Sequence, residues 1–480
     1  MRRGGQDKLA GGLALAWLVV VVVVPLAVLV DAAAPVDLRP IERVAVGRAM
    51  ARGLGLSVIV ATAGCGLALA LARTIPPVVI LGLMLVSRSI LAQGILALGL
   101  SPGPLAAVVA LILDVAPIAA LLLWLRLQTR PLALIEAAAD LGAGAWARAR
   151  AIEWPHLRPA VLAAWVWGLL QSLGDVIAFE LAGGGHSYTP GLLIRDALLR
   201  EQAPGRALVS ILILLGLALP CAWLISRELS SAQRSDWRAL PRPPRLASLG
   251  GWTVLVAMLA VPAALLLGRQ PEGFGPADRG LAELAASSLV LSAFVAALAS
   301  AAGFGLALAS RRAAWPGWLG AAVLAPLAIP PSVLGLLTLG AATPLGIRPG
   351  PGLTVLALLG PGLGLGFVSA RLLTIVIPRG LIDAAMDLGA TARERLRLVW
   401  LPLGRAALAV SAVVVFAWVL GQAAIPAFTS GPGGDTLAVA LTIHARAGSL
   451  ALVRRWSLIL IAAPVLASVL ALRLARWRPR

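Results

Sequence analysis

Twelve apolar segments, each about as long as one membrane-spanning helix, constrain the fold of this chain more than any other feature. A helix needs roughly 20 apolar residues to cross the hydrocarbon core of a bilayer. The chain of 480 residues is 60% hydrophobic and 13% charged, whereas soluble domains are nearer half apolar and a quarter charged. The sequence therefore predicts an all-α, polytopic membrane protein. Its candidate spans are 11–31, 52–72, 77–99, 104–125, 159–181, 206–226, 249–268, 284–309, 317–340, 351–374, 406–428 and 455–474.

A polar linker at residues 227–248 divides the twelve segments into two sets of six. Residues 1–226 would form a first lobe and residues 249–480 a second lobe. Because six spans return the chain to the side of the membrane where it began, the two lobes would share one orientation. The predicted architecture is a pair of pseudo-symmetric six-helix repeats.

A polar loop between the fourth and fifth segments of each set supports this duplication. The loop runs from Glu136 to Arg158 in the first set and from Asp383 to Arg405 in the second, 247 positions later. An alignment without gaps over this length indicates an internal repeat. The residue types shared at matching offsets include Ala137/Ala384, Ala138/Ala385, Asp140/Asp387, Leu141/Leu388, Gly142/Gly389, Arg148/Arg395, Arg150/Arg397, Pro155/Pro402 and Arg158/Arg405.

The distribution of basic residues predicts the orientation. With the N-terminus inside, the cytoplasmic segments carry 26 of the 40 arginine and lysine residues, against 13 outside and one, Arg88, within a segment. Cytoplasmic loops are enriched in positive charge, so both polar loops and both termini are predicted to be cytoplasmic. The net charge of +19 does not indicate a nucleic-acid partner, because no basic stripe alternates with exposed aromatic residues.

The first apolar segment has two interpretations. The sequence MRRGGQDK, an apolar run and DAAAP resemble a signal peptide with an Ala-x-Ala cleavage site. The apolar run is longer than a typical signal-peptide core, and a retained helix gives both lobes the same number of spans. We therefore expect this helix to be retained.

The repeated loop has the pattern of a short helix held between two spans. In the first copy, Ala137, Ala138, Leu141 and Ala145 fall at helical spacing and form a face of small residues. Gly142 favours a turn after this face because glycine tolerates backbone conformations that other residues avoid. Such a helix would be a rigid handle on the spans beside it; the alternative is an interfacial helix that only lies on lipid headgroups.

Both loops resemble the signature of permeases of binding-protein-dependent ATP-binding-cassette importers. That signature reads Glu-Ala-Ala, three residues, Gly, nine residues, Ile, one residue, Leu-Pro. In the first copy Trp154 replaces the leucine, and in the second Asp383 and Val399 replace the glutamate and the isoleucine. The matching positions are Glu136, Ala137, Ala138, Gly142, Ile152 and Pro155, then Ala384, Ala385, Gly389, Leu401 and Pro402.

The resemblance implies a type I importer permease of the bacterial inner membrane. Loops 131–158 and 378–405 would be coupling loops that dock onto cytoplasmic ATPase subunits, acting as a dimer. An extracytoplasmic binding protein would deliver the substrate. The residues that the resemblance assigns to ATPase coupling are Glu136, Ala137, Ala138, Gly142, Asp383, Ala384, Ala385 and Gly389.

The substrate is predicted less directly than the family. A two-lobe chain of this length, with GQAAIPAF followed by GPGGDTLAVALTIHARAGSLA, looks most like the ferric-iron importers. Importers of thiamine, sulfate, molybdate or polyamines would have the same architecture. An ATP-independent secondary transporter with two six-span halves is a further alternative, although it does not account for the repeated loop.

No enzyme activity and no cofactor are predicted for this chain. A phosphate-binding P-loop needs glycines followed by Lys and Ser or Thr, and the only lysine, Lys8, lies in QDKL. ATP hydrolysis would therefore belong to another subunit. The three histidines are too far apart in the sequence to form a metal-ligand motif, and Cys65 and Cys221 are predicted to be packing residues within apolar segments.

Five polar residues near or within the predicted spans are candidates for the permeation path or for intramembrane contacts: Arg88, Asp114, Asp175, Glu180 and Gln422. A lone charge at the centre of a helix costs roughly 2.5–3.5 kcal/mol on insertion scales, so Arg88 and Asp114 are expected to pair. Asp175 and Glu180 would suit a cationic substrate, and Gln422 occupies the repeat position of Asp175. The alternatives are a structural ion pair for Arg88 and Asp114 and an interfacial position for Glu180.

The ninth segment contains three prolines, Pro326, Pro330 and Pro331, and is predicted to be broken. Broken helices in membranes are tolerated where they line a cavity. A packing kink is the other interpretation.

Overall fold

The computed structural model describes residues 12, 16, 19–33, 40–84, 86–185, 187–201, 203–232, 245–267, 280–312, 317–343, 345–374, 379–431 and 435–476. All regular secondary structure within these residues is helical, which confirms the predicted class. In the first half of the chain the helices are α1 Val24–Ala33, α2 Pro40–Thr74, α3 Pro77–Leu83, α4 Arg88–Ala97, α5 Pro104–Gln128, α6 Leu132–Asp140, α7 Ala145–Arg148, α8 Trp154–Leu173, α9 Ile177–Leu181, α10 Pro190–Leu199 and α11 Pro204–Ala232.

The second half follows a similar order of long and short helices. They are α12 Arg245–Leu267, α13 Leu281–Arg312, α14 Gly317–Ala328, α15 Pro331–Ala342, α16 Pro351–Thr374, α17 Arg379–Asp387, α18 Ala392–Glu394, α19 Leu401–Leu420, α20 Pro426–Thr429, α21 Leu437–Arg446 and α22 Leu450–Arg476. Three π-helical turns occur among the described residues, at Val19–Val23, Ala149–Glu153 and Arg395–Trp400.

Seven helices of the described chain are long and apolar enough to cross a membrane, or eight if one strongly bent pair is counted. Twelve uninterrupted spans are therefore not confirmed. The predicted span at 77–99 consists of two helices, α3 and α4, and the one at 159–181 is interrupted after α8. The seven are Glu42–Thr74, Pro104–Gln128, Gly205–Ser230, Leu281–Ser310, Pro351–Arg371, Arg395–Leu420 and Ala451–Val469.

Proline explains the sharpest break. Helices α14 and α15 meet at an angle of 92°, where Pro330 and Pro331 interrupt the backbone hydrogen bonds of a helix. The predicted break is thus confirmed at these two prolines, while Pro326 lies inside α14. The predicted linker is shorter than 227–248, because α11 continues to Ala232 and α12 begins at Arg245; residues 233–244 lie outside the described part.

The long helices of both halves share one cluster of buried apolar side chains. Many positions on its helices are alanine or glycine, which allows backbones to approach closely. Gly366 on α16, for example, faces the backbone of Ala299 on α13, with a distance of only 2.7 Å between the carbonyl oxygen of Ala299 and the position of an added Cβ. The two halves pack against each other in the same way, since Gly94 on α4 lies directly against the backbone of Val261 on α12.

Candidate functional site

The two repeated loops have the same backbone geometry. Helix α6 ends in a Schellman motif, in which the amide of Gly142 donates to the carbonyl of Ala139 at 2.9 Å and the amide of Ala143 donates to Ala138 at 2.9 Å. Helix α17 ends with the corresponding pair, at 3.0 Å each, from Gly389 to Met386 and from Ala390 to Ala385.

A positive φ angle makes glycine necessary at both turns. The angle is +80° at Gly142 and +77° at Gly389, in the left-handed region that side chains with a Cβ avoid. Nothing lies within 4 Å of a Cβ built on either glycine. The sequence-predicted turn therefore rests on backbone conformation and not on a close neighbour.

The predicted coupling residues lie on exposed helices. Glu136, Ala137 and Gly142 are exposed and Ala138 is half-buried; Asp383, Ala384, Gly389 and Ala385 repeat this order. No residue of α6 is buried. The leucine just before each glycine is almost fully exposed: Leu141 by 87% and Leu388 by 88%. Single exposed apolar side chains are common on protein surfaces; these two are distinguished by their equivalent positions in the repeat.

Each loop is tied to the long helix that follows it. Arg148 Nη1 donates to the carbonyl of Ala143 at 2.6 Å, and Arg395 makes the same contact with Ala390. A π-helical turn then leads directly into α8 in the first half and into α19 in the second. A force on either turn is thereby transmitted to one long helix through continuous helical backbone.

The loops differ in how the second short helix begins. In the second loop Thr391 and Glu394 form a capping box: the Thr391 amide donates to Glu394 Oε2 at 2.8 Å, and the Glu394 amide donates to Thr391 Oγ1 at 3.3 Å. The corresponding first-loop positions are Gly144 and Ala147, which have no such side chains. The first loop instead presents Trp146, which is 79% exposed.

The capping box makes the second loop sensitive to acid. Hydrogen bonds from Thr391 hold the pKa of Glu394 below its ordinary value of 4.5. Because the folded-state pKa is the lower one, the stabilisation is complete above pH 4.5 and disappears as the pH falls through the folded-state pKa. We expect hydrogen exchange to show weaker protection around Thr391 on acidification below pH 4.5, after correction for the intrinsic rate.

The matched control for this acid effect is the first loop. Residues 141–150 should show no comparable pH-dependent change, and Glu394→Gln should remove the change from the second loop. Equal acid sensitivity of both loops would contradict the assignment to Glu394.

A buried ion cluster joins three elements of the first half. Arg88, the first residue of α4, contacts Asp114 of α5 through Nη2 at 2.5 Å and through Nε at 3.0 Å. The predicted pair is therefore confirmed. Arg88 Nη1 also contacts Asp175 Oδ1 at 2.6 Å, a second partner that sequence reasoning missed because nothing in the spacing of residues 88 and 175 predicts contact.

The other carboxylate oxygen of Asp175 caps a short helix. Asp175 Oδ2 accepts the amide of Ala178 at 2.7 Å, just after α8 ends. Gln422 makes a similar contact after α19, where its Oε1 accepts a hydrogen bond from the amide of Ala424 at 3.1 Å. The two positions predicted to be equivalent thus both support a break after a long helix.

A cavity of about 70 Å³ lies between residues of the two halves. Of the predicted polar candidates, Arg88, Asp114 and Gln422 line it, whereas Asp175 and Glu180 do not. Sequence reasoning missed three further lining side chains, Trp167, Gln171 and Trp418. Gln171 gave a weak signal, since it is a polar residue in an apolar segment at the repeat position of Trp418.

Glu180 belongs to a different ionic group. Its carboxylate contacts Arg195 Nη1 at 2.7 Å and also contacts Arg446 of the second half. Arg195 in turn lies 2.8 Å from Asp196. This group connects α9, α10 and α21, and the structure does not bring it to the cavity.

Comparison with known protein families bears on the first half of the chain. Residues 47–226 match the family model described as "Binding-protein-dependent transport system inner membrane component". The matched part begins within α2, ends within α11, and includes the first repeated loop and the buried ion cluster. It spans less than half of the chain. Together with the apolar helices, this match supports a multi-pass inner membrane permease of an importer.

Proposed function

We propose that this chain supplies both permease lobes of an ATP-driven solute importer, one in each half. The observation that carries the proposal is the pair of identical glycine turns, each with one exposed leucine at its tip. An internal repeat that served only to cross the membrane would need no matching apolar group on an exposed loop. Two copies fit two subunits of a dimeric ATPase.

The coupling role belongs to the residues around these turns. Glu136, Ala137, Ala138 and Gly142 would contact one cytoplasmic ATPase subunit, and Asp383, Ala384, Ala385 and Gly389 the other. The small side chains allow close approach of a partner surface, and the leucines would fill apolar pockets, as anchors in protein interfaces do. The difference between Trp146 and the capping box makes the two contacts similar but unequal.

The long helices after the loops would carry the motion to the permeation path. Trp154 and Gln171 are 17 residues apart on α8, which corresponds to about 26 Å along a helix axis. Gln171 and Trp167 line the cavity, and on α19 so does Trp418. A shift of either loop therefore moves a wall of the cavity directly.

The proposed topology places both loops and both termini in the cytoplasm. Seven continuous helices and the broken ones would together make the twelve crossings, with paired short helices such as α3 and α4 acting as one crossing. An interruption inside a membrane is acceptable when protein surrounds it, and residues 88–95 of α4 are mostly buried.

For the substrate we propose ferric iron, on the resemblance of the fused two-lobe chain. Among the described residues, no group of three or more His, Cys, Asp or Glu side chains is suited to hold a metal. The side chains that line the cavity therefore fit only a transient passage of the ion. Thiamine, sulfate, molybdate and polyamines remain alternatives. A secondary transporter would need no ATPase contact.

The direct test is co-purification of the chain with a candidate ATPase encoded beside it. We expect native mass spectrometry to give one copy of this chain with two ATPase subunits. A complex with one ATPase subunit would contradict the two-lobe proposal, and no association with any candidate would favour a secondary transporter.

A further inference from the structure

Two glycines at equivalent positions form reciprocal contacts between the halves. Gly174 is the C-terminal cap of α8, and Gly421, 247 positions later, is the C-terminal cap of α19. Each packs against the interruption of a broken helix in the opposite half. Gly174 faces Pro330 between α14 and α15, and Gly421 faces Ser87 just before α4.

Neither contact leaves room for a side chain on the glycine. A Cβ added to Gly421 would lie 2.8 Å from the Cβ of Ser87, whereas ordinary carbon atoms approach to about 3.5–4.0 Å. A Cβ added to Gly174 would overlap the ring of Pro330. Ser332 strengthens that second contact, because its hydroxyl donates to the carbonyl of Gly174.

Both contacts adjoin the cavity. Ser87 and Gly421 line it, as do Ile329 and Pro331 on either side of Pro330. Because α8 and α19 both begin at the repeated loops, their terminal glycines lie at the ends remote from those loops. On α8 the lining residues Trp167 and Gln171 precede Gly174, so the contact of Gly174 lies between them and the side opposite to the loops.

Polar contacts also join the halves beyond this point. Ser89 and Thr442 share a hydrogen bond of 3.2 Å, and Glu180 contacts Arg446, whose side chain is 43% exposed. An ion pair with one exposed partner is weak and is screened by salt. At the two glycines, backbone without a side chain packs directly against the Cβ of Ser87 and the ring of Pro330.

We propose that Gly174 and Gly421 form the closed outer gate of the permeation path, with the contact between Glu180 and Arg446 as a weak latch beyond it. The inference rests on the proposed transport function and its orientation. Because a glycine has no side chain, each one can separate from Ser87 or Pro330 and return without a rotamer change of its own. They also make the gate depend on both halves at once.

The gate is tested by accessibility of the cavity from outside. In a chain with Cys65→Ala and Cys221→Ala, Gln171→Cys places a reporter thiol in the cavity wall. The probe is a membrane-impermeant, positively charged methanethiosulfonate applied to right-side-out vesicles. We expect Gly421→Ala and Gly174→Ala each to raise the labelling rate by about tenfold, equivalent to about 1.4 kcal/mol.

A second-site change identifies the cause. Ser87→Gly removes the Cβ that an alanine at position 421 would meet, and leaves Ala417 O at 3.4 Å and the Cα of position 87 at 3.5 Å as its nearest neighbours. Ser87→Gly combined with Gly421→Ala should therefore return labelling to the starting rate. Ser87→Ala keeps the Cβ and should not return labelling to the starting rate. Both changes at position 87 remove the hydroxyl that caps α4, so they differ only in the Cβ.

Gly305→Ala is the control for a helical glycine with open space around it, and it should leave labelling unchanged. Unchanged labelling in both gate variants, or equal rescue by Ser87→Ala, would overturn the gate. Co-purification with the ATPase is read separately on the same variants. If labelling increases but the ATPase does not co-purify, the importer is rejected and the gate remains. If the ATPase co-purifies but labelling is unchanged, only the gate is rejected.

Discussion

Replacing both exposed leucines, Leu141→Gln with Leu388→Gln, is expected to abolish association with the ATPase while leaving the chain folded. Each leucine is more than four-fifths exposed, so a polar side chain of similar size costs almost nothing in the isolated chain. At an interface, loss of a central apolar anchor costs about 2 kcal/mol or more, roughly 30-fold in affinity. Co-purification and native mass spectrometry measure the result.

The single variants test the two ATPase contacts separately. Leu141→Gln alone and Leu388→Gln alone should each weaken one of two ATPase contacts and give complexes with one ATPase subunit. Leu345→Gln is the control, because Leu345 is also exposed, by 60%, but lies in the loop between α15 and α16. Full association of the double variant would contradict the role of the two leucines as anchors of the ATPase contact.

Neutralising the arginine of the buried cluster is expected to have the largest effect on stability. Arg88→Gln leaves Asp114 and Asp175 without their shared cation, and Asp175 has a side-chain exposure of only 1%. Removing one partner of a buried ion pair costs about 3–5 kcal/mol in the free energy of unfolding. Asp114→Asn should cost about 1 kcal/mol, because Arg88 keeps Asp175 and an asparagine oxygen still accepts a hydrogen bond.

Thermal unfolding in detergent with a thiol-reactive fluorophore measures these changes, since both native cysteines are buried and unreacted in the folded chain. Arg200→Gln is the control: Arg200 is 71% exposed and lies 3.7 Å from Asp196, so its loss should cost less than about 1 kcal/mol. Neutralising Asp114 and Asp175 together with Arg88 should recover most of the loss. Equal destabilisation by Arg88→Gln and Asp114→Asn would contradict an uncompensated charge as the cause.

The second carboxylate, Asp175, also changes how a charge exchange should behave. Swapping Arg88 and Asp114 would restore an isolated pair. In the observed cluster it would instead place a carboxylate at position 88 against Asp175, at the site where Nη1 now lies 2.6 Å from Oδ1. We therefore expect the exchanged variant to remain unstable.

The sequence alone determined the features that depend on neighbouring residues. Long apolar runs predict helices because only helices satisfy the backbone within lipid, and the described chain is helical. The glycine in each repeated loop predicts a turn, and both turns have a positive φ. The cost of an isolated charge predicted a partner for Arg88, and Asp114 is that partner.

Only the tertiary structure decided where apolar runs are interrupted and which distant residues meet. The break before Arg88 follows no proline, and the polar step Ser87-Arg88-Ser89 is equally compatible with a charged residue inside an unbroken span. The contacts of Asp175 with Arg88, of Gly421 with Ser87 and of Gly174 with Pro330 join residues far apart in the chain. Such contacts depend on how whole helices pack. A glycine allows close approach because it has no side chain, but the residue that approaches it is decided by the arrangement of the helices.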